Sequence, residues 1–252
     1  MSSRRGRRIA AWVGGVVGGL VVVVVAGILI WSQVGVMGAE AEPLASVQDD
    51  PAIVAEDTSG AIVLSPAESD SGEAGDVGLV FVPGAKVAPW AYAAKLSDLV
   101  AEEGMTVVIT RPWLNLAFFD LRPLSDFTSL APEVGTWMVG GHSLGGVRSC
   151  QLAADADALV LFGSYCANDL ADSGLPVLSI SGSEDGLSTP DKIADARPLL
   201  PADAELVEIA GANHASFGDY GPQAGDGTAT IPDDEMTAQI TELVGALAAT
   251  LD

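Results

Sequence analysis

The feature that most constrains the fold is an alternation of short apolar runs, rich in β-branched residues, with segments of helical periodicity. Runs such as 77–82, 136–140 and 158–162 are apolar at nearly every position, which is typical of strands covered by helices on both faces. Further strand-like runs lie at 61–64, 106–110, 176–181 and 205–209, and helical patterns at 89–103, 125–133, 144–154, 191–200 and 233–251. This alternation predicts the α/β class, with a mostly parallel sheet between two layers of helices.

The N-terminal segment 9–31 contains no charged residue and as a helix would extend roughly 34 Å, enough to cross a bilayer. Four arginines lie in 1–8, which the positive-inside rule assigns to the cytoplasm. We therefore expect a single-pass signal-anchor, with the rest of the chain outside the cytoplasm. The alternative is secretion after signal cleavage, because Ala39-Glu40-Ala41 resembles a small-residue cleavage site. The length of the apolar run favours the anchor.

The segment that follows, 32–60, is rich in Ala, Glu and Asp and has no clear apolar period. It also contains Pro43 and Pro51. Such a composition is typical of an extended tether rather than a packed element. We therefore expect an acidic flexible linker at 32–60 and a globular domain at 61–252.

Composition narrows the classes of function. The formal net charge of −23 repels the phosphate backbone, so we expect no nucleic-acid partner. The chain has two histidines and two cysteines, and none of them forms a cluster with metal-ligand spacing, so we expect neither a metal nor another cofactor. In an exported protein Cys150 and Cys166 could form a disulfide, and the alternative is two separate buried thiols.

The motif Gly141-His142-Ser143-Leu144-Gly145 has the pattern G-x-S-x-G. A string this short also arises by chance in a glycine-rich chain, so its setting matters more than its letters. It stands between a predicted strand and a predicted helix, which is the setting of a nucleophile elbow, a sharp turn that presents a serine hydroxyl. The sequence therefore predicts Ser143 as a nucleophile.

A serine hydroxyl needs an adjacent base, usually a histidine that a carboxylate orients. His142 lies inside the turn, where we expect its side chain to point away from the hydroxyl, so the predicted base is His214, just after the last strand. In chains with this elbow the acid lies between nucleophile and base. Asp185 directly follows the strand 176–181 and is the predicted acid, with its neighbour Glu184 as the alternative.

Acyl transfer also needs an oxyanion hole, made by the main-chain N–H after the nucleophile and by a second N–H from a neighbouring strand-to-helix loop. Leu144 would supply the first of these groups. Ala85, in the loop after the strand 77–82, would supply the second. The candidate residues for lining the pocket are Lys86, Tyr92 and Asn115.

Four motifs together carry a family resemblance. They are Pro83-Gly84-Ala85-Lys86-Val87 with Tyr92, Asn115-Leu116-Ala117, Gly141-His142-Ser143-Leu144-Gly145-Gly146, and Asn213-His214-Ala215 through Gly218-Asp219-Tyr220-Gly221. Over 61–252 the chain resembles a bacterial α/β-hydrolase family related to dienelactone hydrolases. The resemblance implies the α/β-hydrolase fold and a triad of Ser143, Asp185 and His214. Dienelactone hydrolases use a cysteine nucleophile, so serine at this position favours ordinary ester hydrolysis.

The sequence thus predicts a serine hydrolase that acts on a small-molecule ester or a related acyl compound. The segment 165–175, between two strands, is too short for a helical lid, so we expect an open site. The same triad could serve thioesters, amides or perhydrolysis. A surface-displayed protein that binds a partner without turnover is an alternative of another class, and the complete set of nucleophile, acid and base argues against it.

Overall fold

The computed structural model describes residues 2–67 and 76–251, and describes side chains from residue 12 onward. It divides into two units, Met1–Val36 and Met37–Asp252. The first unit is helix α1 (Ser2–Gln33). Its stretch Trp12–Gln33 has 22 residues and a mean hydropathy of 2.8, so it is long and apolar enough to cross a membrane, as a signal sequence would also be. The side chains of the arginines in the predicted cytoplasmic tail lie outside the described residues.

The second unit is built on a β-sheet to which the described residues contribute eight strands. They are β1 (Ile53–Asp57), β2 (Ala61–Pro66), β3 (Val77–Val82), β4 (Thr106–Thr110), β5 (Thr136–His142), β6 (Ala158–Phe162), β7 (Val177–Gly182) and β8 (Glu205–Ile209). The order across the sheet is β1-β2-β4-β3-β5-β6-β7-β8. Strand β2 is antiparallel to both of its neighbours, and the other neighbouring pairs are parallel.

Helices cover both faces of this sheet. They are α2 (Ala41–Gln48), α3 (Ala93–Ala101), α4 (Ser125–Thr128), α5 (Leu144–Leu152), α6 (Pro190–Ala196) and α7 (Asp233–Ala248). Successive strand residues point to opposite faces, so Leu79 and Phe81 of β3 pack with α2, α3 and α7, whereas Val80 packs with α4 and α5. The buried residues of these two cores lie between Val47 and Ala248. Both cores therefore belong to the Met37–Asp252 unit.

The prediction of a flexible linker at 32–60 does not hold from residue 41 onward. Residues 41–48 form α2, and residues 53–57 form β1, which pairs with β2 at the edge of the sheet. Val47 and Ile53 are buried in the core. The remaining residues of β1 are exposed, as is common in an edge strand, so no apolar period marked it in the sequence. Pro43 is tolerated because it lies in the first helical turn, where an N–H has no intrahelical acceptor.

Candidate active site

The parallel strands bring the predicted site residues to one edge of the sheet. Strands β3, β5, β7 and β8 run in the same direction, so the loops that follow them emerge at their shared carboxyl edge. These loops carry Ala85, Ser143, Asp185 and His214. In an open α/β sheet this edge is where ligands bind.

Ser143 lies in a strained backbone conformation between β5 and α5. Its φ of 52° and ψ of −122° fall in a region that residues with a side chain rarely adopt and that is typical of functional sites. The turn is tight because β3 approaches it closely. A Cβ atom added to Gly145 would lie 1.9 Å from the carbonyl oxygen of Val82. A residue other than glycine at 145 would therefore disrupt the elbow.

Asp185 and His214 form a buried pair. His214 Nδ1 lies 2.7 Å from Asp185 Oδ2, and both side chains are almost fully buried. The other carboxylate oxygen, Oδ1, accepts the main-chain N–H groups of Leu187 at 2.8 Å and Ser188 at 2.7 Å. A carboxylate only accepts hydrogen bonds, so Nδ1 carries the proton and Nε2 of His214 presents a lone pair. Asp185 thereby fixes both the orientation and the tautomer of the imidazole.

Ser143 and His214 line the same cavity, which has a volume of about 230 Å³. Leu144 and Val147 of α5 form part of its wall. The complete lining is Ser143, Leu144, Val147, Ser164, Tyr165, Leu187, Ser188, His214 and Gln223. A small molecule can therefore contact the Ser143 and His214 side chains together.

Asp226 organises the loops that hold this pair, a role that no motif in the sequence indicates. Its Oδ1 accepts the main-chain N–H groups of Gly186 and His214, each at 3.1 Å. Its Oδ2 accepts the N–H of Ala215 at 2.9 Å. One carboxylate thus joins the loop after Asp185 to the loop of His214. Asp226 lies twelve positions after His214, and only the folded loop brings it back to both segments.

His142 points away from the cavity into a buried hydrogen-bonded chain, as the sequence predicted. The N–H of Gly84 donates to Tyr92 Oη at 2.9 Å, and Tyr92 Oη lies 2.9 Å from His142 Nδ1. Burial raises the pKa of Tyr92, and the Gly84 N–H acts in the opposite direction. Burial, followed by the repulsion that two protonated imidazoles would exert on each other at His142 and His214, holds the pKa of His142 well below its usual range, against the effect of the His214 main-chain carbonyl. The phenol is therefore protonated and donates to a neutral imidazole.

The residues proposed as pocket lining lie elsewhere. Tyr92 is fully buried in the core and does not line the cavity at Ser143, so its assignment to the pocket is wrong. Lys86 and Asn115 are also outside the lining of that cavity. Their segments are joined, because the N–H of Lys86 donates to the carbonyl of Asn115 at 2.8 Å. Ala85 is half-buried in the same loop as Gly84.

The connection between β6 and β7 forms no helix among its described residues, in agreement with the predicted lack of a lid. Cys166 in this connection is bonded to Cys150 of α5, with an S–S distance of 2.06 Å. The side-chain amide of Asn168 also donates to the Cys150 carbonyl at 3.1 Å. Ser164 and Tyr165, which line the cavity, are thus held close to the elbow helix.

A mostly parallel sheet covered on both faces, with a strained serine turn after its central strand, defines the α/β-hydrolase class of folds. The chain belongs to the alpha/beta hydrolase family, whose family model matches residues 78–238. The predicted fold class is therefore confirmed. The closer relation to dienelactone hydrolases stays a prediction. No curated protein matches the sequence.

Three solved structures are similar to this chain. The esterase domain of a Rhodothermus marinus protein has a TM-score of 0.57 and 16% identity, covering 78% of this chain and 96% of its own. Est1E from Butyrivibrio proteoclasticus has a TM-score of 0.55 and 14% identity, and the match covers 79% of this chain and 98% of Est1E. MGS-MChE2, an α/β-hydrolase enzyme from a sediment metagenome of the Mar Chica lagoon, Morocco, has a TM-score of 0.54 and 17% identity. The match covers 75% of this chain and 96% of that enzyme. At these identities the likeness establishes the fold.

Proposed function

We propose that this protein is a serine hydrolase that cleaves a carboxylic ester or a closely related acyl bond. The observation that carries the proposal is the buried His214–Asp185 pair, 2.7 Å apart, beside a cavity that also contains Ser143 on its strained turn. Nucleophile, base and orienting acid in this relation are what acyl transfer by serine requires.

In the proposed reaction the lone pair on His214 Nε2 takes the proton of the Ser143 hydroxyl as its oxygen attacks the ester carbonyl. Asp185 stabilises the imidazolium that forms. The imidazolium then gives its proton to the departing alcohol, and an acyl group remains on Ser143. Water attacks this acyl-enzyme with His214 again as the base, which releases the acid and restores the serine.

Negative charge develops on the carbonyl oxygen during both steps. The N–H of Leu144, at the start of α5, and the N–H of Ala85, after β3, are the proposed donors to it. The N-terminal end of α5 adds a favourable dipole. None of these steps needs a metal or an organic cofactor.

The choice of an ester over other acyl compounds is supported by the neighbours in fold. The Rhodothermus marinus protein is described as an esterase domain and the Mar Chica protein as an α/β-hydrolase enzyme. A compact cavity formed partly by Leu144 and Val147 suits an uncharged acyl compound. We therefore propose a small-molecule ester as the substrate.

For location, we propose that α1 anchors the protein in the cell membrane and that the hydrolase unit lies outside the cytoplasm. The apolar stretch Trp12–Gln33 has the length of a membrane span, and the arginines before it favour a cytoplasmic N-terminus. The bond between Cys150 and Cys166 suits an oxidising compartment. Secretion after cleavage of α1 is the competing location.

The proposal is tested by the turnover of p-nitrophenyl acetate by purified protein. We expect Ser143→Ala and His214→Ala each to lower kcat by at least about a thousandfold, and Asp185→Asn by about 10⁴-fold, because the imidazole loses its orienting acceptor. The matched controls are Glu184→Gln, next to the acid, and Ser173→Ala, on an exposed turn, and both should retain wild-type kcat. Equal loss in Asp185→Asn and Glu184→Gln would refute the assigned acid.

A further inference from the structure

Large apolar side chains are concentrated on the surface that follows β4. Trp113 is 65% exposed, Phe118 52%, Phe119 43% and Leu121 82%, and we call these four residues the apolar face. Among the described residues of the same unit, the other exposed large apolar side chains are Val54, Leu130 and Leu206, which lie on three separate segments. Trp113, Phe119 and Leu121 line one groove, and Phe118 belongs to the same short turn as Phe119. Single apolar residues are normal on a protein surface, whereas a contiguous group indicates a binding site.

The apolar face belongs to a segment whose backbone is held in place. The guanidinium of Arg122 donates to the carbonyls of Arg111, at 2.8 Å, and Gly60, at 3.2 Å, and also bonds to Asp120. The carbonyl of Asn115 accepts the N–H of Lys86 at 2.8 Å. The apolar side chains are therefore exposed on a fixed backbone, so their exposure does not come from a loose loop.

This segment packs against helix α5, which also forms part of the candidate active site. The turn Ala117–Phe119 contacts α5, and the guanidinium of Arg148 in α5 donates to the carbonyl of Arg122 at 2.9 Å. The same helix contributes Leu144 and Val147 to the wall of the cavity at Ser143. The apolar face and the apolar wall of the cavity thus lie on elements that pack together.

The charges beside the apolar face and the size of the cavity at Ser143 restrict which kind of molecule could bind there. The basic groups beside the apolar face are paired, Arg111 with Asp57 and Arg122 with Asp120, so the surface is locally neutral on a strongly acidic protein. The cavity of about 230 Å³ is smaller than the roughly 300–1,000 Å³ typical of sites that enclose a drug-sized ligand. It accommodates the reacting ester and little more, so a larger substituent has to extend beyond it.

We propose that the preferred substrate is an ester with an extended, uncharged apolar group, and that this group lies on the apolar face while its ester enters the cavity at Ser143. The inference rests on the proposed function and specifies the substrate class of that same site. Burial of apolar surface lowers the free energy in proportion to the area covered, so transition-state binding should improve as the acyl chain lengthens.

The test compares kcat/KM for p-nitrophenyl acetate and p-nitrophenyl octanoate, using the Met37–Asp252 unit, which contains both cores. The wild type should favour octanoate. In Phe118→Ser/Leu121→Ser the ratio of the two kcat/KM values should fall about tenfold. Leu206→Ser is the matched control, because it removes an exposed leucine from β8 at the far edge of the sheet, and it should leave the ratio unchanged. An unchanged ratio in the double variant would overturn the inference.

Two further measurements separate this inference from its alternatives. Binding of octanamide, an uncharged and unreactive analogue, is measured by calorimetry on the Ser143→Ala protein with and without the double substitution. If the wild type hydrolyses neither ester, the proposed function fails and the assigned substrate class fails with it. If the wild type hydrolyses both esters but octanamide binds equally with and without the double substitution, the proposed function stands and the inference alone is wrong. If the double variant keeps its octanoate preference but no longer binds phosphatidylcholine vesicles, the apolar face contacts a membrane and the inference is wrong.

Discussion

At the scale of single residues, the proposed catalytic residues could be predicted from the sequence, whereas the residues that hold their loops in place could not. A chain with two histidines, one of them inside the serine turn, leaves His214 as the available base, and the order of the strands then selects Asp185. The contacts of Asp226 and Tyr92 depend on segments that meet only in the folded protein. The aromatic ring of Tyr92 suits either a core or a pocket, and sequence alone does not distinguish the two.

The hydroxyl of Tyr92 gives a prediction at this scale. In Tyr92→Phe the Gly84 N–H and His142 Nδ1 lose a buried partner, which should lower the free energy of unfolding by about 1–3 kcal/mol. The loop that contains Ala85, the proposed oxyanion donor, would also lose the hydrogen bond from the Gly84 N–H to Tyr92. We expect kcat for p-nitrophenyl acetate to fall about tenfold with little change in KM.

Steady-state kinetics and thermal unfolding measure the two effects of Tyr92→Phe separately. Thr241→Val is the control, because it removes another buried hydroxyl, one that donates to the carbonyl of Thr237 within α7. It should lower Tm without the same loss in kcat. If the two variants lose kcat equally, the hydroxyl of Tyr92 does not position the oxyanion loop.

At the scale of elements, the strands that are most completely buried are the ones that the sequence predicts best. Strands β3, β5 and β6 are buried along nearly their whole length, and their apolar runs predicted them. Strand β1 has one buried residue, so its sequence has the polar composition of a linker. The helix predicted at 125–133 ends at Thr128 as the short α4. After it, tighter turns with hydrogen bonds from Leu130 to Phe127 and from Ala131 to Thr128 still bury Phe127 and Ala131.

The disulfide gives a prediction at the same scale. The bond joins α5 to the connection after β6 over a sequence separation of 16, and a loop of this length contributes about 3 kcal/mol in the chain-entropy model. For a unit of this size we expect Cys150→Ala/Cys166→Ala to lower Tm by roughly 10 °C. Calorimetry with and without a reductant checks this, since reductant should lower Tm of the wild type and leave the double variant unaffected. A wild-type Tm that does not respond to complete reduction would show that the bond contributes no stability.

At the scale of the whole molecule, the two units differ in the solvent for which they are suited. Helix α1 exposes apolar side chains along Trp12–Gln33, which suits lipid. The Met37–Asp252 unit buries its apolar residues in two cores, and the net charge of −23 for the chain favours solubility. The division was predictable because one uncharged run differs sharply from everything after it. The position of the boundary was harder to predict, because the folded unit begins at Met37 and not at residue 61.

The proposed anchor predicts how the full-length chain fractionates after expression in a bacterial host. We expect it in the membrane pellet, resistant to high salt and released by detergent, with the intact mass of 25.6 kDa, because the apolar span holds it in the bilayer. The chain without residues 1–36 should be soluble. A shortened, soluble product that begins near Glu42 would indicate a cleaved signal peptide and a secreted enzyme.

The central claim is that Ser143 is the nucleophile, and the most direct measurement is to locate the adduct of a fluorophosphonate probe by mass spectrometry of peptides. We predict one adduct, on Ser143, absent from Ser143→Ala and formed far more slowly in His214→Ala, because the hydroxyl then lacks its base. The Ser173→Ala control should label as fast as the wild type. Labelling that persists in folded Ser143→Ala protein, or an adduct on another residue of the wild type, would contradict the account.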